Sequence, residues 1–259
     1  MIYKNQTILV TASAKRLGKH IVTDLVKSGW NIALHYNQSK IIAEETAHSL
    51  IKIGGKVTLH QADLSKSDQL TNLINNVKKL NSQWIGLINN AGLFKYDDGI
   101  NFDFENLNDH MSVNFIAPAI LTQALARFTI EKQKQKQDKK LQGMVINILD
   151  AKIFGLNPDY YSYTLSKQAL YGLTKMSALS YASSIRVNGI APGITLPAPG
   201  QDKNLFQRSH KQNLLKSSAT VEEILNAIQF LIISKSVTGH VTLLDGGAHL
   251  APPRRDVGL

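Results

Sequence analysis

The chain contains 259 residues, of which 43% are hydrophobic, enough for one large α/β core or two smaller ones. It has no cysteine, which excludes disulfides, thiolate metal sites and cysteine nucleophiles and suits a reducing cytosol. The formal net charge is +10, but the one dense basic run, residues 132–140, alternates lysine with glutamine and contains no aromatic residue. We therefore expect a solvated helix end or loop there and not a nucleic-acid surface, while the positive balance favours small anionic ligands.

The sequence gives no indication of a membrane or secretory segment. No apolar run approaches the roughly 20 residues that a membrane-spanning helix needs. Residues 1–6 lead straight into an apolar strand, without the charged start, apolar stretch and cleavage site of a signal peptide. The eight histidines lack metal-ligand spacing such as His-x-x-x-His, so each is interpreted as a surface or hydrogen-bonded residue. We expect a cytoplasmic protein with no metal site and no membrane or nucleic-acid partner.

Short apolar runs alternate with segments of helical periodicity along the chain. The strand candidates, in order, are Thr7–Ala12, Asn31–Tyr36, Lys56–Gln61, Ile85–Asn89, Gly143–Leu149, Ser184–Ala191 and His240–Leu244. The helix candidates are Leu17–Ser28, Lys40–Ile53, Ser67–Leu80, Asn106–Thr129, Tyr161–Tyr181 and Val221–Ser234. Nearly continuous Ile, Val and Leu runs are typical of parallel strands buried on both faces. The prediction is an α/β fold, a single doubly wound Rossmann-type domain over residues 1–259, with a seven-stranded parallel sheet and helices on both faces.

Two segments do not fit this alternation. Glu131–Leu141 is polar and is predicted to be an inserted connection between a helix and a strand. Pro192–Leu214 has three prolines and two glycines in its first nine residues, which predicts a mobile loop over the functional site.

The first strand ends in the turn Thr11–Gly18, after which a helix begins. Dinucleotide-binding turns place glycines here so that backbone amides at the helix N-terminus approach a pyrophosphate. Only Gly18 remains of that pattern, with Ala12 and Arg16 at the other two positions. Alone, this motif is weak and also fits an ordinary strand–helix turn.

The second strand is followed by Ser39 and Lys40, with no carboxylate near its end. An enzyme selective for NAD usually has an acidic residue there to accept the ribose hydroxyls. Lys15 and Arg16 approach the same place from the first turn, so a 2′-phosphate would meet cations and not repulsion. The pattern favours NADPH over NADH; the alternative is a set of exposed polar loop residues.

The third and fourth strands end in Asp63-Leu64 and in Asn89–Gly92. Ligands of open parallel sheets bind at the carboxyl ends of strands, where the strand order reverses. The small residues Ala91 and Gly92 would let a cofactor lie against the backbone, although Asn-Asn-Ala-Gly is also a favourable turn sequence.

A tyrosine and a lysine follow the fifth strand with helical spacing. Tyr163 and Lys167 are four residues apart, which places them on one helix face one turn apart. A nearby ammonium stabilises a phenolate, so we expect the pKa of Tyr163 to fall towards a useful range. The spacing is common by chance, but Asp150 at a strand end before it and Pro192-Gly193 after it strengthen the interpretation.

From Thr7 to about Leu250, these motifs resemble in order those of the short-chain dehydrogenase/reductase family: the turn at Thr11–Gly18, Asp63, Asn89–Gly92, Asn114, Tyr163 with Lys167, Pro192-Gly193, and Leu244–Gly247. The resemblance implies that Tyr163 donates a proton, that Lys167 lowers its pKa and holds the nicotinamide ribose, and that Asn114 continues a proton relay. It implies NADPH binding by Ala12, Lys15, Arg16, Leu17, His35, Tyr36, Asn37, Ser39, Asp63, Leu64, Asn90, Ala91, Gly92, Tyr163, Lys167, Pro192, Gly193 and Thr195. A homotetramer, formed through the helix after Asn106 and the Tyr/Lys helix, is expected on the same grounds.

The departures from the family pattern narrow the resemblance. Asp150 stands where a typical member has serine, and Arg16 where it has glycine, as in the pteridine reductase and dihydromonapterin reductase branch. There the arginine meets the pterin and the cofactor phosphates, the aspartate helps to protonate a ring nitrogen, and an aromatic residue in the place of Phe94 stacks on the pterin. The implied substrate residues are Arg16, Phe94, Asp150 and Tyr163. Two residues depart even from this branch. Ala12 stands where the branch usually has glycine, and Gly92 stands where the trypanosomatid-type enzymes have serine.

Asp150 separates the functional hypotheses. Reduction of a C=N bond requires a proton at nitrogen, which a carboxylic acid can deliver if burial or other negative charge keeps it partly protonated. The leading hypothesis is therefore an NADPH-dependent reductase of a pterin or dihydropterin. The alternatives are a carbonyl reductase acting on a 3-oxoacyl thioester or small ketone, a non-catalytic NADPH sensor, and an Asp150 that only caps a strand–loop junction. The C-terminal run Pro252–Arg255 is interpreted as a frayed tail and not as an arm reaching a neighbouring subunit.

Overall fold

A computed structural model describes residues 3, 5–80, 83–136, 141–197, 202–209, 211–217 and 219–256. Seven parallel strands form its sheet: β1 (Gln6–Val10), β2 (Asn31–Tyr36), β3 (Val57–Gln61), β4 (Gln83–Asn89), β5 (Gly143–Ile148), β6 (Ile185–Pro192) and β7 (Val241–Leu244). The strands lie in the order β3-β2-β1-β4-β5-β6-β7, so the order reverses between β1 and β4. The predicted sheet is confirmed, and the reversal fixes where a ligand crevice forms.

Within the described residues, eight α-helices connect or flank these strands: α1 (Arg16–Lys27), α2 (Lys40–Lys52), α3 (Ser67–Lys78), α4 (Phe104–Met111), α5 (Ala117–Lys136), α6 (Tyr161–Ser180), α7 (Lys203–Ser209) and α8 (Val221–Ile233). Side chains of α1, α2 and α8 pack on one face of the sheet, and side chains of α3 and α5 pack on the other. Alternate residues of β1 serve the two layers, since Ile8 and Val10 join the first cluster and Leu9 joins the second. Helices therefore cover both faces, as predicted.

The predicted helix Asn106–Thr129 is longer and less regular than expected. It begins at Phe104, passes through a π-helical turn at Ser112–Ile116 and continues to Lys136. The prediction that Glu131–Leu141 is an inserted connection is wrong up to Lys136, because lysine and glutamine are good helix formers even without an apolar stripe. Residues 137–140 lie outside the described part of the chain.

This helical run also qualifies the expectation on membrane spans. Over Phe104–Gln135 it is long and apolar enough by composition to cross a membrane, with a window of mean hydropathy 1.3. Of that window 56% is buried inside the molecule, with Leu121, Leu125 and Phe128 packed in the second core layer. Such burial is typical of the core helix of a soluble protein, and the fold is of the soluble Rossmann type.

The two C-terminal expectations also change. Pro192 ends β6, and the predicted loop Pro192–Leu214 contains the short helix α7, while residues 198–201 and 210 lie outside the described residues. The frayed tail is wrong: Arg255 forms an ion pair with the buried Asp159, 96 residues earlier. A contact across that distance in sequence leaves no local pattern.

Candidate functional site

The turn between β1 and α1 keeps a glycine-like geometry without its glycines. Ala12 and Arg16 both have a left-handed backbone, with φ of 50° and 53°. Residues other than glycine adopt that conformation at a cost of roughly 1–2 kcal/mol. Ala12 thus retains the backbone of the glycine it replaces. Gly18 cannot be replaced in this way, because a Cβ there would lie 2.3 Å from the carbonyl oxygen of Ala12.

The N-terminus of α1 fits a phosphate group. Its capping residue, Lys15, makes no side-chain capping hydrogen bond, and the first turn contains no acidic residue. Side chains do cap α4, through Asp103, and α8, through Thr220, whereas α2, α3 and α6 share the uncapped start of α1. The first amides of α1 therefore lack a side-chain acceptor and can serve an anion such as a pyrophosphate.

His35 supports this turn from below. Its Nδ1 accepts a hydrogen bond from the Ala12 amide at 3.0 Å, and its Nε2 donates to the Ala62 carbonyl at 3.0 Å. The ring is 2% exposed, and burial lowers its pKa to about 4, so it is neutral. Both nitrogens are used within the protein, which places the His35 side chain beneath the expected cofactor surface and not on it.

The residues expected around a 2′-phosphate lie together at the carboxyl ends of β1 and β2. Lys15, Arg16, Asn37 and Lys40 are exposed there, and Ser39 is half-buried. Only Lys40 has an acidic neighbour, Glu44, at 3.9 Å between two largely exposed groups, an arrangement that contributes little. The predicted apolar contacts are less accessible: Tyr36 and Leu64 are buried, and Leu17 packs against the first core layer.

Hydrogen bonds between side chains and backbone join the ends of β1 and β4. The Thr11 hydroxyl accepts from the amides of Asn90 and Ala91, each at 2.9 Å. The Asn90 side chain in turn donates to the Thr11 and Ala12 carbonyls. At the end of β3, Asp63 accepts from the Ser65 amide and hydroxyl, which fixes that turn. Thr11, Asn90 and Ala91 therefore lie at the point where the strand order reverses, while Asp63 lies two strands away at the end of β3.

The centre of the site is a hydrogen-bonded pair. The Tyr163 hydroxyl donates to Asp150 Oδ2 at 2.7 Å, and Asp150 Oδ1 accepts from the Lys152 amide at 2.8 Å. Lys167 Nζ donates to the Ile148 carbonyl at 2.8 Å and lies 5.7 Å from the centroid of the Tyr163 ring. The sequence correctly placed the tyrosine and the lysine on one helix face and the aspartate beside them.

The expected fall in the pKa of Tyr163 is wrong for this arrangement. Burial, followed by the charge of Asp150, raises the pKa of Tyr163 well above its ordinary value. Burial also raises the pKa of Asp150 and lowers that of Lys167 to about 8. The amine bonds a carbonyl and not the phenol, so desolvation outweighs its attraction for a phenolate.

Asn114 lies in the π-helical turn, which directs its side chain into the site. Its Oδ1 accepts from the Leu93 amide at 2.7 Å, and its Nδ2 donates to the Leu93 carbonyl and to the Ser166 hydroxyl. A Cβ on Gly92 would lie 3.8 Å from Lys167 Nζ and 3.9 Å from Asn114 Oδ1. Gly92 is therefore not sterically required, and its turn borders the catalytic face.

An aromatic group faces this centre. Phe94 stacks on Tyr160 with centroids 4.2 Å apart and meets Tyr163 edge-on at 4.7 Å. Phe94 is nevertheless 51% exposed, so part of its ring surface is available to a planar ligand. Buried His110 accepts from the Lys95 amide and holds the Phe94 segment.

Several residues of this region were absent from the sequence-based candidates. Tyr160 has a left-handed backbone, with φ of 53°, and belongs to the aromatic group. Asp159 and Arg255 meet behind it. The turn sequence Asn157-Pro158-Asp159 indicates a loop but does not indicate Arg255 as its partner.

On the opposite side of the site, the Gly193 amide donates to the Leu244 carbonyl, and the Thr195 hydroxyl donates to the Gly193 carbonyl. Among the described residues, no three metal-binding side chains cluster.

The reversed strand order, the anion-binding turn and the Tyr163–Lys167 pair define a nucleotide-dependent oxidoreductase. A family model described as enoyl-(acyl carrier protein) reductase matches residues 11–249. The chain belongs to the short-chain dehydrogenase/reductase family.

Three relatives illustrate the range within that family. The crystal structure of FolM alternative dihydrofolate reductase 1 from Brucella canis, complexed with NADP, is 33% identical with a TM-score of 0.87 and covers 97% of each chain. Pteridine reductase 1 of Leishmania tarentolae is 29% identical, covering 93% of this chain and 96% of the relative. The 3-oxoacyl-[acyl-carrier-protein] reductase FabG of Staphylococcus epidermidis is 27% identical, covering 95% and 100%.

Proposed function

We propose that the protein is an NADPH-dependent reductase of a pterin or dihydropterin, acting in the cytoplasm as a homotetramer. The observation that carries the proposal is the Asp150 carboxylate, which accepts the Tyr163 hydroxyl at 2.7 Å in a buried setting that raises its pKa. The similarity to an NADP-complexed FolM structure and to pteridine reductase 1 supports the same substrate class.

The cofactor site has the features that NADPH requires. The amides at the start of α1 would hold the pyrophosphate, and Lys15, Arg16, Ser39 and Lys40 would surround the 2′-phosphate. Lys167 would hold the nicotinamide ribose. When bound, NADPH supplies the hydride that reduces the substrate's C=N bond.

The charges of the central pair indicate which group gives the proton. If Tyr163 protonated the substrate while Asp150 was ionised, two negative charges would lie one hydrogen bond apart. Such like-charge pairs do not both ionise readily. A protonated Asp150 avoids this: it gives its proton to the ring nitrogen, and the Tyr163 hydroxyl stabilises the resulting carboxylate. The hydrogen bond from Tyr163 to Asp150 is then the state that follows proton transfer.

The substrate would lie against the exposed part of Phe94, beside this pair. A phenylalanine that is 51% exposed suits a planar pterin, and stacking there would bring the ring nitrogens near Asp150. Exposed Arg16, at the edge of the cofactor turn, would provide a cation for the cofactor phosphates and the pterin. Asn114, whose side chain is held by Ser166, would order the water through which the proton that restores the acid is relayed.

A carbonyl reductase of the 3-oxoacyl thioester type is the second candidate. The full-length similarity to a 3-oxoacyl-[acyl-carrier-protein] reductase favours it. Asp150 opposes it, because a ketone requires a proton from Tyr163, whose pKa the carboxylate raises.

The first test follows NADPH oxidation by absorbance, with a dihydropterin in one cuvette and an acetoacetyl thioester in the other. We expect rapid oxidation with the dihydropterin alone. Oxidation with the thioester alone would overturn the proposal and make Asp150 a tolerated replacement for serine. NADPH binding without oxidation of either compound would instead support the sensor hypothesis.

The proposed tetramer is supported by apolar residues on the two expected helices. On α6, Leu165, Met176 and Leu179 are exposed and share one face, since eleven and fourteen residues correspond to nearly whole helical turns. Ile116 and Ile120 are exposed on the neighbouring helix. Apolar residues grouped in this way are typical of subunit interfaces.

A further inference from the structure

Residues 251–256, here termed the C-terminal arm, are bound to the loop that leads into α6. The Arg255 Nε donates to both carboxylate oxygens of Asp159, at 3.0 and 2.9 Å, and its Nη2 donates to Oδ1 at 2.5 Å. The Asp256 amide donates to the same carboxylate at 2.6 Å. Asp159 has no exposed surface, so the arm provides the positive charge and donors that its burial demands.

The arm contacts two further parts of the same wall. The Asp256 carboxylate lies 3.3 Å from Lys152 Nζ in a pair that is mostly buried. Lys152 Nζ in turn lies 5.3 Å from the centroid of the Tyr160 ring. Arg255 also lies near Tyr96, whose ring meets Tyr160 edge-on at 5.2 Å.

Each of these contacts adjoins a residue of the proposed site. Lys152 donates its amide to Asp150, the proposed acid. Asp159 directly precedes Tyr160, whose left-handed backbone brings its ring parallel to Phe94. Such a backbone costs roughly 1–2 kcal/mol and persists only where the surroundings hold it. The Asp159 carboxylate, held by Arg255, anchors the residue before Tyr160. The Thr164 amide and hydroxyl, which donate to the Tyr160 carbonyl, anchor Tyr160 on its other side.

We propose that Arg255 is a positioning residue that sets substrate affinity: through Asp159 it holds Tyr160 against one face of Phe94 and leaves the other face for a planar heteroaromatic ring. The proposal rests on the proposed function in its substrate class only. Without the clamp, Tyr160 can leave its strained conformation, and Phe94 loses the ring that fixes its orientation.

The test compares three variants in steady-state kinetics with NADPH and a dihydropterin. Arg255→Ala is expected to raise the KM for the dihydropterin about tenfold or more, as misplaced binding groups do, with a smaller change in kcat. The KM for NADPH should stay within about twofold, because the cofactor turn lies on the other side of the site. The KM of Arg255→Lys for the dihydropterin should lie between those of the wild type and Arg255→Ala. A lysine keeps the charge, but its ammonium cannot bind the carboxylate through two parallel hydrogen bonds as the planar guanidinium does.

Arg254→Ala is the matched control. Arg254 is the adjacent arginine, is exposed, and has no hydrogen-bond or ion-pair partner in the described part of the chain. The Arg254→Ala variant should have the same KM and kcat as the wild type. Circular dichroism shows whether each variant folds, and if Arg255→Ala does not, Arg255→Lys carries the test.

A double variant separates the clamp from other effects of Arg255. Asp159→Asn alone should raise the KM, and adding it to Arg255→Ala should cause little further increase, because the interaction is already lost. If the KM of Arg255→Ala equals or falls below that of Arg254→Ala, the positioning role is overturned. A wild type inactive on dihydropterins would refute the proposed substrate only; the same KM comparison with the thioester would then decide on the arm.

Discussion

At the scale of single residues, the pair formed by Asp150 and Tyr163 decides the chemistry. A tyrosine can donate its proton easily only where its phenolate is stabilised, and the neighbouring carboxylate does the opposite. Burial also raises the pKa of Asp150, which favours the protonated carboxyl that can give a proton to the substrate. The residue at position 150, just after β5, thus decides whether the proton donor is that residue, as with Asp150, or Tyr163.

Replacing Asp150 with serine should exchange the two activities. Asp150→Ser removes the negative charge beside Tyr163, so the pKa of Tyr163 should fall and carbonyl reduction should increase. Dihydropterin turnover should drop by about a hundredfold or more, the range of a lost general acid. Both rates are measured by NADPH oxidation, with NADPH affinity as the control for an intact cofactor site. Unchanged dihydropterin turnover would remove Asp150 from the mechanism.

Lys167 should limit activity in alkali. Its pKa is lowered to about 8 by burial, so it loses its charge as the pH rises through that value. If the cation holds the cofactor, kcat/KM should fall above about pH 8. Lys167→Arg keeps its charge at every accessible pH, and its residual activity should lack this decline. The same decline in both proteins would assign it to another group.

At the scale of elements, the turn before α1 reproduces a glycine-rich conformation from other residues. Ala12 and Arg16 both have left-handed backbones, and that of Ala12 persists because His35 binds its amide and Asn90 binds its carbonyl. Arg16 thereby gains a side chain at the cofactor edge that a glycine would lack. The strained backbone of Arg16 is therefore accompanied by an additional cation at the cofactor site.

Gly18→Ala should damage this element specifically. The new methyl group would lie 2.3 Å from the Ala12 carbonyl oxygen and 2.7 Å from Ser13 Cα, so the turn or α1 must shift. We expect NADPH affinity to fall about tenfold or more and Tm to drop by several degrees. Gly99→Ala is the control, since a methyl group there makes only ordinary contact, 3.7 Å from the Tyr161 ring. Equal effects in the two variants would contradict this account.

The elements that the sequence predicted are those with strong local signals. All seven strands and the Tyr163–Lys167 helix follow from apolar runs and periodicity. The π-helical turn around Asn114 and the extension of α5 to Lys136 have no such signal. The raised pKa of Tyr163 and the Arg255–Asp159 pair depend on burial and on distant contacts, which a local pattern does not contain.

At the scale of the whole molecule, the chain presents exposed apolar residues on α5 and α6 that a monomer has no evident reason to keep. A tetramer that buries them would also fix the outer sides of the helices that carry Asn114 and Tyr163. Assembly and catalysis would then depend on the same two helices.

Leu179→Glu should weaken the proposed tetramer. Leu179 is 76% exposed on α6, so a charge there costs the folded monomer little but would be buried in the assembly. Light scattering after size exclusion should show a wild-type mass of about four chains and a smaller mass for the variant. Ile53→Glu, at an exposed position after α2, is the control and should not change the mass. A monomeric wild type would refute the tetramer.

The neutral ring of His35 makes the cofactor turn sensitive to acid. Since its pKa is about 4 in the folded chain and about 6.5 when unfolded, the unfolded chain binds more protons between these values. The contribution of His35 to the stability of the folded chain is complete above about pH 6.5 and is lost as the pH falls towards about 4. The Tm should therefore decline over that interval. His35→Gln, which does not titrate, should show a flatter profile; a decline as steep as that of the wild type would assign the effect elsewhere. Two buried side chains beside the nucleotide crevice would then limit the pH range in which the enzyme works. His35 would set the acid limit through unfolding, and Lys167 would set the alkaline limit through loss of its charge.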